Sequence, residues 1–559
     1  MTRHIWWQVV LIVLGVLLVG ILLAYLAVNY KTVVRPGHGG TYVEGIAGSP
    51  VYLNPLLCGY NRPNHVDHDL CTLLFRGLTR LNARGELEPD MAREWDVTLD
   101  GLTYTFRLRA NAYWHDGSPV TADDVIFTIN LLKDPNFPGP VELGASVWQV
   151  VEVEKVNRLT VRFKLPDDQP YAPFLDHSTV GLLPAHILKG IQAADLPTSE
   201  FNLNPIGCGP FMLVEIEVEN DAIKSLVLEQ FSRYYGDTPY LDRIQFRFYP
   251  SEQAVFEAYK NGQVEGIARV MPSDLSRAGT LPNLALYSAR IARTGLVFLN
   301  MDRPGLDFFQ ESKVRQALMY ALDRQRIIDE ALGGQALVAH SPILPGTWAY
   351  KEDTFHYEYD PGQAGALLDA AGWLLSPDEA VRRKGGQVLA FSLLTSGEPE
   401  RVKVAEMMAK QWTAAGIAVN VNVVAPMDLY NTLNHRDFDA VLVHLALPGD
   451  PDPYPFWHER QIEGGQNYAG FTHRRISEVI EQARIVNGRE KRQALYDEFQ
   501  ELFAQEAPAV LLYVPVYTYG VSERIHGVQI GPLMSPADRF RNVSQWWIVP
   551  RRVLAKTDE

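Results

Sequence analysis

The chain reads as an α/β protein of several domains, carried behind an apolar N-terminal helix. Three observations predict this. From residue 388 to 445 the pattern alternates strand, helix, strand, helix, strand, which folds as a parallel sheet with helices on its faces. At 559 residues the chain exceeds what one hydrophobic core covers, so two or three domains are expected. Residues 9–28 are twenty consecutive positions with no charged or strongly polar side chain.

That apolar run is long enough to cross a bilayer as a helix. Trp6, Trp7, Tyr25 and Tyr30 stand near its ends, where interface anchors sit. Arg3 precedes it and Lys31 and Arg35 follow. A cleaved signal peptide has a shorter apolar core and a small-x-small site, and Tyr25-Leu26-Ala27 is a poor one. An uncleaved signal anchor over residues 1–30 is therefore expected, with a short basic linker at 31–39 and the rest of the chain outside the membrane.

Composition narrows the partners. A hydrophobic content of 47% and a charged content of 21% fit a globular protein. The net charge of −15 excludes nucleic acid as the main partner, because phosphate binding needs a basic footprint. Three cysteines, Cys58, Cys71 and Cys208, make no disulfide framework. Cys58 and Cys71 can bridge outside the cytoplasm if geometry allows; free thiols are the alternative.

Taken in order, His65-Val66-Asp67-His68-Asp69 looks like half of a metallohydrolase motif. A zinc site needs three or four ligands, and the His-x-His half is missing upstream. These residues are read as the lead-in to a helix at 73–78, and neither metal nor cofactor is expected. Asp100-Gly101 is a turn. Tyr104, Phe106 and Leu108 then alternate with polar neighbours, the period of a half-buried strand. His115-Asp116-Gly117-Ser118-Pro119 is a second turn. Thr121 opens a helix with Asp124 three residues on, a capping box, and Asp123 sits in the positive first turn.

Residues 147–165 read as a hairpin turning at Asn157-Arg158. Asn204-Pro205-Ile206-Gly207-Cys208-Gly209-Pro210-Phe211 has the look of a phosphate cradle. It lacks the Lys-Ser/Thr of a P-loop and a third glycine, and Pro210 removes a donor, so it reads as a structural turn. Ser251 caps a helix that Gly262 stops. Residues 284–300 are extended, and 311–332 form one helix closed by Gly333-Gly334. Asp360 caps and Pro361 starts a helix ending near Gly372. Strands at 388–395, 417–424 and 438–445 enclose helices at 400–415 and 427–434. Helices at 476–486 and 489–505 lead to a strand at 509–521.

One stretch is more specific than its elements. Leu74-Phe75-x-Gly77-Leu78, Trp95-Asp96-Val97, Gly101-Leu102-Thr103-Tyr104-Thr105-Phe106-x-Leu108-Arg109, Trp114-x-Asp116-Gly117 and Thr121-Ala122-Asp123-Asp124-Val125 follow one another in order. So do the 182–188 and 204–211 segments and Arg315-Gln316-Ala317-Leu318 with Asp323. This sequence resembles the family 5 extracytoplasmic solute-binding proteins, the peptide, oligopeptide and nickel receptors of ABC importers, over about residues 40–548.

The resemblance implies a bilobal, periplasmic-binding-protein-like fold of type II, in the three-domain cluster C form. Lobe one is then residues 40–75, 197–291 and 520–548, with an extra domain at 76–196; lobe two is 292–519. Ligand lies between lobes that close by hinge motion, and an ABC permease recognises the closed form. The chain itself does no covalent chemistry, is a monomer, and lies at the extracytoplasmic face of a bacterial cell membrane. Peptide is the default ligand. A nickel receptor is less expected, since no dense histidine cluster marks the lobe-two loop.

Candidate ligand-binding residues follow from the same likeness. Gly48 and Ser49 lie in the first strand and loop. The strand at 438–445 runs into Ala446-Leu447-Pro448-Gly449-Asp450-Pro451-Asp452-Pro453, like the family's D-x-x-D-P loop, with Trp457 beyond it. His444 stands where relatives carry an aromatic. Asn467 and Tyr468 match a later family segment, Trp348 lies where aromatics flank the cleft, and Asn300 ends a strand. Leu447 occupies the place of an aspartate that pairs with a peptide's amine. Leucine cannot hold an ammonium, so Asp450 or Asp452 must replace it if the ligand is a peptide N-terminus. The alternative is that these two only cap the loop. Two other classes stay open. One is a surface sensor without a transporter. The other is a hydrolase, against which stand the absence of a Gly-x-Ser-x-Gly elbow and of a complete metal set.

Overall fold

The computed structural model describes residues 2–58, 65–139, 145–166, 170–220, 222–446 and 449–556. Helix α1 spans Thr2–Asn29. Its described side chains are mostly exposed and apolar, among them Leu11, Ile12, Leu14, Val16 and Leu18. Among the described residues no helix is long and apolar enough to cross a membrane, in contrast to the spanning helix expected over residues 1–30. The strand Tyr30–Gly37 after α1 pairs antiparallel with the C-terminal strand Val549–Lys556.

The elements that position the site are few. In chain order they are β1 (Thr41–Ala47), α2 (His65–Leu74), β2 (Arg243–Tyr249), α3 (Glu252–Lys260), β3 (Gly266–Ile267) and β4 (Arg293–Leu299). Then come β5 (Ala390–Ser396), α4 (Pro399–Ala414), β6 (Ala418–Val424), β7 (Ala440–Ala446), α5 (Arg474–Ile485), α6 (Arg489–Glu506) and β8 (Ala509–Ser522). Their sheet runs in the order β6-β5-β7-β4-β8-β3-β1-β2 and ends on a hairpin, Phe211–Glu219 with Ala222–Gln230.

Strand β8 belongs to both halves of this sheet. Its first part pairs with β4, at Phe298 with Ala509 and Gly295 with Tyr513. Its last part pairs with β3, at Ile267 with Gly520 and Gly266 with Val521. Two large cores flank it. One is drawn from residues between Ala292 and Val514 and includes Trp373, Trp412 and Trp457. The other runs from Tyr42 to Trp546 and continues into a separate four-stranded antiparallel sheet, Ala92–Val97, Thr103–Leu108, Thr160–Lys164 and Glu152–Asn157. The apolar alternation seen in the sequence buries Tyr104, Phe106 and Leu108 there.

Local signals set the helix starts. Both halves of the Thr121/Asp124 capping box form at Ala122–Lys133. Ser251 caps α3 by accepting from the Ala254 N–H, and Asp360 caps Pro361–Ala370. The 204–211 turn is structural: the Cys208 and Gly209 N–H groups donate to the Leu74 carbonyl at 2.9 and 2.8 Å, closing the end of α2. A Cβ at Gly207 or Gly209 would run into the Leu74 and Leu73 carbonyl oxygens.

Three local expectations are corrected. The helix expected over 311–332 is two helices, Ser312–Tyr320 and Arg324–Leu332. Asp323 breaks it, because its carboxylate caps the second helix at Arg326 while its own N–H donates to Gln411 Oε1. The hairpin expected over 147–165 begins as a helix, Ala145–Val150, because Trp148 is buried against Phe163 and Phe174. The helix expected at 73–78 is instead α2, His65–Leu74, so the 65–69 stretch is its first turn and not a lead-in: Asp67 accepts from the Val51 N–H and Asp69 from Arg539, which ties the start of the helix to both. Cys58 and Cys71 are free thiols with sulfurs 2.7 Å apart.

Candidate functional site

Strand direction locates the site. β1, β2 and β3 are mutually parallel and end at Ala47, Tyr249 and Ile267. β5, β6 and β7 are mutually parallel and end at Ser396, Val424 and Ala446. β7 and β8 both pair antiparallel with β4, and β3 runs against β8. Both sets of carboxyl ends therefore point at the middle of β8. There the Ile291 N–H donates to the Pro515 carbonyl and the Val270 N–H to that of Thr518. Carboxyl ends of strands in open α/β sheets are where ligands bind, and here two such sets face one another.

The chemistry at this junction is cationic. Arg293 lies opposite Ala446 in the β4–β7 pair, and Gly295 lies opposite His444, so Arg293 and His444 share a face. Gly295 has no side chain because the Tyr513 ring occupies that space. His444 bonds Tyr513 Oη through Nε2 at 2.9 Å and meets an Arg401 Nη at 3.3 Å through Nδ1. Arginine can only donate, so Nδ1 accepts and Nε2 carries the proton. Burial, then the charges of Arg401, Arg293 and Arg269, hold the His444 pKa down to about 3, so the ring is neutral. Burial and the charges of Arg269 and Arg401 also lower Arg293. Arg269 follows β3 on the opposite wall. Glu252 is close enough to Arg269 to feel its charge, but burial pushes that carboxyl up to about 7.

The structure brings some of the sequence candidates to this junction and takes others away. Gly48 and Ser49 follow β1 and are exposed; Gly48 adopts φ +105° with its N–H on the Tyr249 carbonyl. His444 and Ala446 end β7. Leu447 lies outside the described residues. Asn300 is at the far end of β4, a buried amide donating to the Arg436 and Phe438 carbonyls, because β4 runs antiparallel to β7. Asn467 is fully buried and ties its own loop through His458 and Phe471. Trp457 packs on Phe298 and Phe503, and Tyr468 on Phe298 with its hydroxyl on Asn434, so all three serve the core at that same far end.

The two loop carboxylates are already paired. Arg492 grips both oxygens of Asp450 at 2.7 Å, and Arg484 holds Asp452 at 2.6 Å. Their loop docks on residues of the four-stranded-sheet region. The Asp450 N–H donates to Asp176, Arg484 lies over Tyr171, and Arg489 pairs with Glu86 at 2.7 Å. Burial, then the Asp450 charge, pushes Asp176 up to about 7. Trp348 stands here too, under Arg489 and Arg492, at an open groove of about 530 Å³ shared with Asp176 and Asp450. Sequence reasoning missed Arg269, Arg293 and Arg401. Only Arg293 carried a signal, a charge at the head of a strand whose later residues, Leu296 to Leu299, are all apolar.

Two sets of strand ends that face one another across one shared strand define a class of protein: one that binds a solute. Comparison with known proteins agrees. Residues 86–467 match the model of the bacterial extracellular solute-binding proteins, family 5 Middle. An oligopeptide-binding protein, AppA, of Bacillus subtilis is 29% identical over 526 residues, covering 93% of each chain. The solved structure of AppA from Bacillus subtilis with a nonapeptide superposes with a TM-score of 0.73 at 27% identity, covering 92% of this chain and all of that one. NikZ from Campylobacter jejuni, solved with Ni(L-His), gives a TM-score of 0.74 at 26% identity, covering 91% and 99%.

The chain belongs to the family 5 bacterial extracellular solute-binding proteins. It is a binding protein and not an enzyme.

Proposed function

We propose that this chain is an extracytoplasmic receptor of an ABC importer that takes a peptide or related small solute between its lobes and delivers it to a permease. The observation that carries the reading is the meeting of both sets of strand ends across β8. A solute there touches β1–β3 on one side and β5–β7 on the other, so closing the lobes buries it. Relatives that bind a nonapeptide and a nickel–histidine complex support a small-solute ligand and leave its chemistry to the cleft residues. The lobe boundaries expected from the sequence, with the extra domain at 76–196, are part of this proposal.

The N-terminal helix is proposed to hold the receptor at the membrane as an uncleaved anchor, with the folded part outside as a monomer. The exposed apolar side chains of α1 and the apolar sequence continuing to Val28 support it. Resistance to alkaline extraction and an intact N-terminus by mass spectrometry are expected; release with a new N-terminus after residue 25 overturns the anchor. For the receptor, the solute released from the purified full chain on denaturation is identified by mass spectrometry. A recovered solute that raises Tm on re-addition is expected. A chain that releases nothing, and that no peptide or small anion stabilises, refutes it.

A further inference from the structure

We propose that the cleft is built to hold the carboxylate or phosphate of an anionic solute, through Arg269 from one wall and Arg293 and Arg401 from the other. The inference rests on the receptor reading and deepens it. Four observations lead to it. Arg293 sits at the first position of β4, opposite Ala446 at the carboxyl end of β7. Arg401 opens the helix that follows β5 and is fixed by Ser396 Oγ at 2.7 Å and by His444 at 3.3 Å. Arg269 follows β3, between the Ala268 carbonyl that accepts from Tyr517 and the Val270 N–H on Thr518. Among the described residues neither Arg269 nor Arg293 has a carboxylate within ion-pair distance, and Arg401 has only Glu398 at 3.5 Å.

Like charges brought together without counter-ions are costly, and a fold keeps them where a ligand supplies the missing charge. The groups around them are arranged the same way. His444 is a neutral donor–acceptor locked between Arg401 and Tyr513, so it adds no fourth charge but fixes the direction of Arg401. Glu252, a carboxyl that feels the charge of Arg269, leaves Oε2 without a partner among the described residues and is pushed up to about 7, so it neutralises Arg269 only in part. The loop carboxylates that would attract an amine, Asp450 and Asp452, are bound to Arg492 and Arg484. Amine recognition is thus withdrawn from the cleft and anion recognition is offered. The charges come from both walls, so they repel as the lobes approach. An anion between them reverses that sign, which makes anion binding and closure one event.

The test uses the full chain in detergent and three probes: trialanine with a free carboxylate, trialanine C-terminal amide, and inorganic phosphate. The free acid is expected to bind at least about tenfold more tightly than the amide, the loss of a charge-assisted hydrogen bond. Phosphate should compete with it. Arg293→Gln and Arg269→Gln should each lower free-acid affinity about tenfold and leave the Tm of the empty chain within about 2 °C, since among the described residues neither side chain is seen to bond another element. Equal affinity for acid and amide, or unchanged affinity in both variants, overturns the anion site while keeping a receptor. If no probe binds and the solute released from the wild-type chain carries no acidic group, the anion site is again overturned. If no solute is released either, the receptor reading itself falls.

Discussion

Arg539→Met is expected to cost about 3 kcal/mol of stability, because it opens a buried ionic cluster beneath the cleft. Arg539 is 0% exposed. Its guanidinium donates to Asp69 at 2.8 Å and to Glu44 at 3.1 Å, and lies 4.1 Å from the Phe540 ring centroid. Glu44 is in β1, Asp69 in α2, and Arg539 in the C-terminal segment, so three distant parts of the chain share one charge balance. Removing the cation leaves two carboxylates uncompensated, a loss of about 3–5 kcal/mol for buried pairs. The Tyr519 hydroxyl, 2.9 Å from Glu44, still serves that carboxylate, which favours the lower figure.

At about 2–4 °C per kcal/mol for a unit of this size, Tm should fall by roughly 6–12 °C in the transition that carries this core. Burial already pushes the Glu44 pKa up while Arg539 pulls it down. Without Arg539 the folded pKa rises further above the unfolded one. The variant then binds protons on folding, and its deficit shrinks as pH falls from 7 toward 5. Scanning calorimetry of the full chain at both pH values reads this. A second variant, Glu44→Gln/Asp69→Asn/Arg539→Met, should recover most of the loss by removing the orphaned charges. A deficit below about 1 kcal/mol, or one independent of pH, would refute the reasoning.

Other consequences are as direct. Asp176 has a folded pKa of about 7 against 3.8 for the ordinary group, so its contact with the Asp450 loop is strongest near pH 4 and weakens as pH rises to 7. The ceiling on that effect is about 4 kcal/mol. Asp176→Asn should flatten the pH dependence of hydrogen-exchange protection in that loop, and an unchanged slope would assign it to another group. The Cys58 and Cys71 thiols should oxidise in an extracytoplasmic compartment; peptide mapping without reductant then finds residues 58 and 71 linked, whereas three alkylatable thiols in denatured protein would sink the idea. Gly209→Ala drives a Cβ into the Leu73 carbonyl and should cost about 1–3 kcal/mol in urea unfolding. A neutral result would mean that the loop is free to move.

What the sequence determined by itself was everything settled within a few residues. The Thr121, Ser251 and Asp360 caps formed as expected, because each bonds an N–H two or three positions on. The strands and helices of the 388–446 region came within about two residues, because their apolar period matches a face that must be buried. The family likeness was legible for the same reason: turns and caps fix residue types locally. Tertiary structure decided the rest. It broke the 311–332 helix at Asp323 through Gln411, 88 positions away. It turned Asn300, Trp457, Asn467 and Tyr468 into core, because β4 runs antiparallel to β7 and carries that end away from the cleft. It bound Asp450 and Asp452 to arginines of α5 and α6. And it gathered Arg269, Arg293 and Arg401, which share no motif. Charges at strand ends become neighbours only when the strands are ordered around β8, and no local rule of sequence carries that order.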